Sequence, residues 1–326
     1  MVSLFRNKSF SSIFFLIALA LLVHVHFFYS DVHVITSKDG LLSYLLAQYA
    51  KPLPSVFVWM IYILFLLLQA IRLNLFLNEY KLFQEGGYTV AMTYILFSGF
   101  VVQWSSVTSA FLSNSLTILI LILVGKLYNN HSAKTLIFNI GLISGITILA
   151  YHPTVVILLV ILFALLVLRP FRLAEILILL LGALTPFYIL AAILFLVDQW
   201  AMFFQFLPHF SIKLFQLPYN AWLIAALILA SILLVSGFFS WVPVNNRMLI
   251  QIRKSWSVVY VMFFVLIALP FIFQATGLES LILLTVPASA ITANIFQYPK
   301  RLFYPNFLFL LALILIIHTN LVLIKN

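Results

Sequence analysis

Long apolar runs separated by short polar breaks dominate the sequence. A helix needs about 20 mostly apolar residues to cross the hydrocarbon core of a bilayer. Runs that meet or approach this length occupy residues 12–30, 55–77, 88–104, 108–127, 135–151, 153–169, 173–197, 220–240, 257–274, 277–296 and 303–323. The pattern predicts an all-α fold, a polytopic transmembrane helical bundle with about 11 spans.

Composition agrees with this prediction and narrows it. Hydrophobic residues make up 65% of the chain and charged residues 7%, whereas a soluble domain is about half apolar and a quarter charged. This composition excludes a soluble globular protein. Because no polar break is long enough to fold separately, we expect a single integral membrane domain over residues 1–326. The absence of cysteine excludes disulfides, thiolate metal sites and cysteine nucleophiles.

The positions of lysine and arginine predict the orientation. With the N-terminus in the cytoplasm, the cytoplasmic set is Arg6, Lys8, Arg72, Lys81, Lys126, Lys134, Arg169, Arg172, Arg247, Arg253, Lys254, Lys300 and Arg301. The opposite side receives Lys38, Lys51, Lys213 and Lys325. This bias follows the positive-inside rule and places the C-terminus outside. The net charge of +10 therefore reflects topology, and no nucleic-acid partner is expected.

Two outside segments, 31–54 and 198–219, mix aromatic with polar residues. That mixture suits the headgroup boundary, so both segments are predicted to form interfacial amphipathic helices on the outer face.

Acids and histidines concentrate toward the same outer face. Asp31 and Asp198 are the candidate catalytic carboxylates, each a general base for an acceptor hydroxyl. Asp39, before Gly40, suits a turn or helix cap first and a general base second, and a helix cap is the alternative for Asp198. Glu279 is the one acid that falls within an outer half of a span. The candidate substrate-binding residues are His33, Lys38, His152 and His209. The alternative is that basic residues were sorted inward and other polar groups were left at random.

Two further motifs have structural interpretations. His24 and His26 are two residues apart, so on one helix they point away from each other. We expect both to be interfacial, and we expect no metal site and no cofactor. Between two apolar runs, Pro170 ends one helix, and Arg172 can pair with Glu175 at the start of the next.

The order of segments resembles a family of uncharacterised inner-membrane proteins of Bacteroidota, a domain of unknown function. The resemblance rests on RLNLFLNEYKLFQEGG at 72–87 and on the LRPFR, LTPFY and FLVDQ elements within 151–199. It implies a Gram-negative inner membrane, so that "outside" means periplasm, and it implies no activity.

A wider, architectural resemblance is to the C-type glycosyltransferases that use polyprenyl-phosphate sugars. A first helix, an outer amphipathic loop and a long bundle are shared. An acid in the first outer loop is the usual base in those enzymes, and Asp31 matches that position. The usual acidic pair is absent, because Val32 follows Asp31, and no outer arginine is available for a lipid phosphate.

These observations leave three hypotheses open. The first is a cell-envelope protein of the bacterial inner membrane that handles a lipid-linked glycan in a glycosyltransferase-like way. The second is a non-catalytic membrane subunit of an envelope assembly, and the third is a transporter or flippase. The expected partners are membrane lipids, a polyprenyl-linked sugar and other envelope membrane proteins.

Overall fold

The computed structural model describes residues 2–32, 34–36, 39–128, 130, 133–210, 220–299 and 301–325. These residues are helical apart from short connections, and an isolated parallel β-bridge joins Val34 to Val107. The prediction of an all-helical chain is therefore confirmed for the part of the chain that the structure describes.

Seven helices among the described residues are long and apolar enough to cross a membrane. Such helices indicate a multi-pass membrane protein. They are α3 (Ser55–Glu79), α6 (Ala133–Ala150), α8 (Leu173–Leu196), α9 (Ala221–Asn245), α10 (Ile250–Ile267, extended by the turn Leu269–Ile272), α11 (Thr285–Gln297, preceded by the 3₁₀ stretch Gln274–Leu284) and α12 (Phe303–Lys325).

Four shorter apolar helices lie in the remaining predicted ranges. They are α1 (Phe10–Val23), α4 (Thr89–Ser98), α5 (Ser109–Gly125) and α7 (Ile157–Leu168, preceded by the 3₁₀ turn His152–Val156). Every predicted range therefore holds a helix, whereas the count of 11 crossings and the orientation stay predictions. The short α4, about 15 Å at 1.5 Å per residue, ends in an irregular segment and a 3₁₀ turn, Val102–Trp104.

The two outer segments differ in how much helix they contain. A short helix, α2 (Leu41–Leu45), continues as a π-turn through Ala50 and agrees with the helix expected there. In the second segment the described helix is limited to the turns Trp200–Phe203 and Phe204–Phe206. The N-caps of α2 and of the first of these turns are Gly40 and Gln199, so neither Asp39 nor Asp198 is the predicted cap residue.

Helix α11 is the centre of the bundle. It packs against α4, α9 and α10, and all of its residues are buried, including Ser289, Thr292 and Asn294. Two hydrogen bonds join this helix and the 3₁₀ stretch before it to neighbouring helices. The Asn114 amide donates to the Ile282 carbonyl oxygen at 3.0 Å, and the Thr93 hydroxyl donates to the Ser289 carbonyl oxygen at 2.9 Å. Interhelical hydrogen bonds of this kind hold helices together in a bilayer.

Helices α6 and α8 are so close that only glycine, which has no Cβ atom, fits at their contact. A Cβ atom at Gly141 would collide with the Leu179 carbonyl oxygen, and one at Gly145 with the Ala183 carbonyl oxygen. Gly182 meets the backbone of α6 in the same way. Small residues at such contacts let helix backbones touch, which favours dispersion contact between them.

The ion pair at the turn between α7 and α8 is not the predicted one. Glu175 pairs with Arg169, through Nε–Oε2 and Nη2–Oε1 contacts of 3.0 Å each, and not with Arg172. The reason is that Arg172 has an extended backbone and precedes the first helical residue, so helical i,i+3 spacing does not apply to it. Arg169 leaves the end of α7 and reaches back over the turn.

Candidate functional site

Backbone and side-chain hydrogen bonds join three connections at the predicted outer end of the bundle. The His152 N–H donates to the Asp39 carbonyl oxygen at 2.8 Å. The Ser43 hydroxyl in α2 donates to the Ser109 hydroxyl at the start of α5, at 2.9 Å. The segment before α2, the segment before α5 and the turn after α6 therefore meet at one place.

Gly40 fixes the closest of these contacts. Its φ is +146°, a conformation that side chains with a Cβ rarely adopt. A Cβ at Gly40 would also collide with the Ala150 carbonyl oxygen. Only glycine therefore allows the chain to pass this close to the end of α6 and to place Asp39 beside His152.

We call Asp39, Thr108, His152, His209 and Glu279 the outward cluster. The Glu279 carboxylate interacts with the Thr108 hydroxyl and lies within electrostatic range of the Asp39 carboxylate. Its Oε1 atom is buried and has no hydrogen-bond partner among the described residues. The Thr108 hydroxyl caps α5 by accepting the Phe111 N–H at 3.0 Å. Two carboxylates beside a hydroxyl form an arrangement that can take up and return a proton.

The two histidines of the outward cluster, His152 and His209, adjoin Asp39 through the backbone of His152. His152 is 4% exposed, and its ring lies beside the Phe206 backbone and within electrostatic range of the exposed His209. The His152 Nε2 atom has no partner within the described part of the chain. Among the described residues no three His, Asp or Glu side chains come together as metal ligands.

The six predicted site residues do not all lie in one place in the structure. His152 and His209 lie within electrostatic range of each other, and their substrate-binding role stays a prediction. Asp31 and Asp198 are exposed, and their carboxylates make no hydrogen bond or ion pair with a described residue, so their catalytic role stays a prediction. Asp198 has an unusual positive φ of 58°. His33 and Lys38 lie outside the described residues.

His24 and His26 are not interfacial, which corrects the prediction for both. They are 1% and 3% exposed, because α1 ends at Val23 and a 3₁₀ turn, Val25–Phe28, carries both rings inward. His24 uses both ring nitrogens, one toward the Ala20 carbonyl oxygen at 3.1 Å and one toward the Tyr62 hydroxyl at 3.0 Å. Its role is structural.

An apolar groove of about 640 Å³ lies between α9, α10 and α11, with the end of α4 and the segment after it in its wall. We call it the first groove. Its walls include Trp104, Leu227, Ser231, Phe263, Leu281 and Ala288. Its size is typical of pockets that enclose most of a small ligand.

Trp104 links this groove to the outward cluster. Its indole lines the groove, and its Nε1–H donates at 2.8 Å to the carbonyl oxygen of Leu278, the residue before Glu279. The Tyr62 hydroxyl donates to the Trp104 carbonyl oxygen at 3.1 Å. The outer end of the groove is therefore tied by hydrogen bonds to the segment that carries Glu279.

Three members of the outward cluster, Asp39, Thr108 and Glu279, were not among the six predicted site residues; Asp39 was expected first as a turn or helix cap. Thr108 carries no sequence signal, since a threonine before an apolar run indicates a helix cap, which it also is. Glu279 did carry a sequence signal, because it is an acid within an apolar run. Such residues are costly in hydrocarbon and are commonly functional.

Comparison with known proteins identifies a family for the chain. Neither the curated proteins nor the solved structures include a match. The family described as a family of unknown function, DUF6427, matches residues 40–325, a range that includes the first groove and every member of the outward cluster except Asp39. This agrees with the expected membership of an uncharacterised family, and the chain belongs to DUF6427.

Proposed function

We propose that this protein holds a lipid-linked sugar at the outer face of the bacterial inner membrane and transfers the sugar to an acceptor hydroxyl. The hydrocarbon chain lies in the first groove and the phosphate–sugar head lies at the outward cluster. One observation carries the proposal: an apolar groove of chain-binding size is joined by a hydrogen bond to the segment that carries Glu279, a carboxylate within electrostatic range of Asp39. Trp104 is common to both, through its place in the groove wall and its bond to Leu278.

The proposal requires the orientation predicted from charge, with the N-terminus inside, the C-terminus outside and about 11 crossings. The helices in all 11 predicted ranges support it, as does the concentration of lysine and arginine on one side. In that orientation the outward cluster lies at the extracytoplasmic ends of α5 and α6.

Asp39 and Glu279 would carry the proton chemistry. The acceptor oxygen bonds to the anomeric carbon while the bond between that carbon and the phosphate oxygen breaks. The lipid phosphate leaves with the electron pair, and the hydroxyl proton passes to one of the two carboxylates. Thr108 would orient Glu279, and His152, with an unpartnered Nε2, would hydrogen-bond the sugar.

Binding is tested with radiolabelled polyprenyl phosphate and the protein purified in mild detergent. Ser231→Trp should fill the first groove and weaken saturable binding about tenfold. Ser257→Trp is the matched control, because both serines are exposed and each donates to the carbonyl oxygen four residues earlier. Ser257 is not part of the groove wall. No saturable binding, or equal loss in both variants, would overturn the proposal.

Catalysis is tested separately in membranes supplied with polyprenyl-phosphate hexose. Asp39→Asn and Glu279→Gln should each abolish release of polyprenyl phosphate while binding persists. Asp31→Asn and Asp198→Asn test the two acids predicted from sequence, and both should retain turnover if the outward cluster carries the reaction. Full turnover in the Asp39 and Glu279 variants, together with a membrane protein that co-purifies stoichiometrically, would favour the non-catalytic subunit.

A further inference from the structure

A second apolar groove is lined by α2, α6 and α8, none of which contributes to the wall of the first groove. It has a volume of about 400 Å³ and lies between α6 and α8, with α2 beside its outer end. Its walls include Leu41, Leu45, Ile146, Ala150, Pro186 and Ile189, and we call it the second groove. Every residue of its wall is apolar.

The second groove adjoins the outward cluster along two chain segments. Leu41 follows Gly40 and therefore lies two residues from Asp39. Ala150, at the end of α6, lies two residues from His152. A hydrogen bond of 2.8 Å from the His152 N–H to the Asp39 carbonyl oxygen joins these two segments. A chain in the second groove would thus place its head at the Asp39 and His152 side, while the first groove approaches from the Glu279 side.

The packing of α6 on α8 explains why the groove exists. Gly141 and Gly145 hold the two backbones in contact in the first part of the pair. Gly145 also touches the Pro186 ring. Beyond this point the residues that line the groove are large, Leu149 on α6 and Ile189 and Ile193 on α8, and the space among them forms a wedge beside α2.

The open side of the wedge is continuous with a surface that a bilayer would cover. Ile189 and Ile193 line the groove and are also 50% and 52% exposed. Leu196, on the same face of α8, is 80% exposed. Because the groove has no polar group in its wall and opens onto this lipid-facing surface, its occupant is a hydrocarbon chain that enters sideways from the bilayer.

We propose that the second groove holds the hydrocarbon chain of the acceptor, so that both partners in the transfer are lipids. This rests on the proposed function, and it defines the acceptor as a membrane lipid with a hydroxyl-bearing head group. The two heads meet at the outward cluster, with the acceptor hydroxyl on the Asp39 and His152 side and the phosphate–sugar on the Glu279 side.

The test uses a diacyl phosphatidylglycerol with a photoactivatable diazirine on its acyl chain, in vesicles of phosphatidylethanolamine and phosphatidylglycerol. Labelling of the second groove should saturate with probe content, whereas labelling of lipid-facing α12 should rise in proportion to it. Ile189→Trp should reduce the saturable part about tenfold. Ile314→Trp is the matched control, an exposed isoleucine on α12 outside the second groove.

A second variant and a second readout separate the outcomes. Ile146→Trp fills the groove from α6, so it should repeat the result if Ile189→Trp folds poorly. Ile189→Trp should leave polyprenyl phosphate binding unchanged, and Ser231→Trp should leave the saturable labelling unchanged. If the wild-type protein does not bind polyprenyl phosphate but the second groove is labelled saturably, the proposed function is refuted and lipid binding in the second groove is not. Non-saturable labelling of the second groove would refute the proposal that it binds an acceptor lipid. Finding another protein, or a second copy of this chain, in the groove would also refute it.

Discussion

The buried ion pair between Arg169 and Glu175 gives the sharpest test of the packing. The two side chains are 11% and 7% exposed. Arg169 makes two contacts of 3.0 Å with the carboxylate, and its Nη1 donates to the carbonyl oxygens of Leu127, at 3.3 Å, and Asn130, at 2.8 Å. One guanidinium therefore ties the end of α7 to the start of α8 and to the segment after α5.

Arg169→Met keeps most of the aliphatic stem and removes every donor. It strands a buried carboxylate, and breaking a buried pair in this way costs about 3–5 kcal/mol. The double variant Arg169→Met, Glu175→Leu removes the stranded charge and leaves only the two carbonyl oxygens without their donor. At about 1 kcal/mol for each lost hydrogen bond, the double variant should lose about 2 kcal/mol, less than the single variant.

The free energy of unfolding can be measured by titrating the detergent-solubilised protein with sodium dodecyl sulfate. Arg172→Met is the control, since Arg172 is exposed and lies only three residues away; it should change stability by less than about 0.5 kcal/mol. The reasoning fails if Arg169→Met and Arg172→Met are equally stable. It also fails if the double variant is less stable than Arg169→Met, because the cost would not then come from a stranded charge.

Two further predictions concern other buried contacts. Tyr62→Phe removes the hydroxyl shared by His24 and the Trp104 carbonyl oxygen and should cost about 1–3 kcal/mol in the same titration, since both partners stay buried. Tyr188→Phe, at a side chain 76% exposed, should be neutral, and equal effects would contradict this account. Gly145→Leu should separate α6 from α8 and lower the thermal midpoint of the purified protein. The same change at the exposed Asn139 of α6 should not, and an unchanged midpoint for Gly145→Leu would show that the two backbones are not in contact.

Hydropathy alone located the helices because a bilayer imposes a minimum apolar length on any crossing segment. The ranges 55–77 and 173–197 agree with α3 and α8 to within two residues at each end. The hydropathy pattern did not locate the end of a helix that stops within an apolar run. The apolar run continues past Val23 while the backbone changes to a 3₁₀ turn, because His24 and His26 find partners or aromatic neighbours inside the bundle.

The candidate site shows what only the tertiary structure decided. Asp39 and Glu279 are far apart in the chain and come together through contacts of α2, α5 and the turn after α6. Spacing along one helix cannot encode such an encounter, so local rules pointed to Asp31 and Asp198 and paired Glu175 with Arg172. The sequence by itself determined which segments are apolar helices, and it predicts which side the cations occupy. The folded chain decided which polar groups share a site, because that depends on how the helices pack.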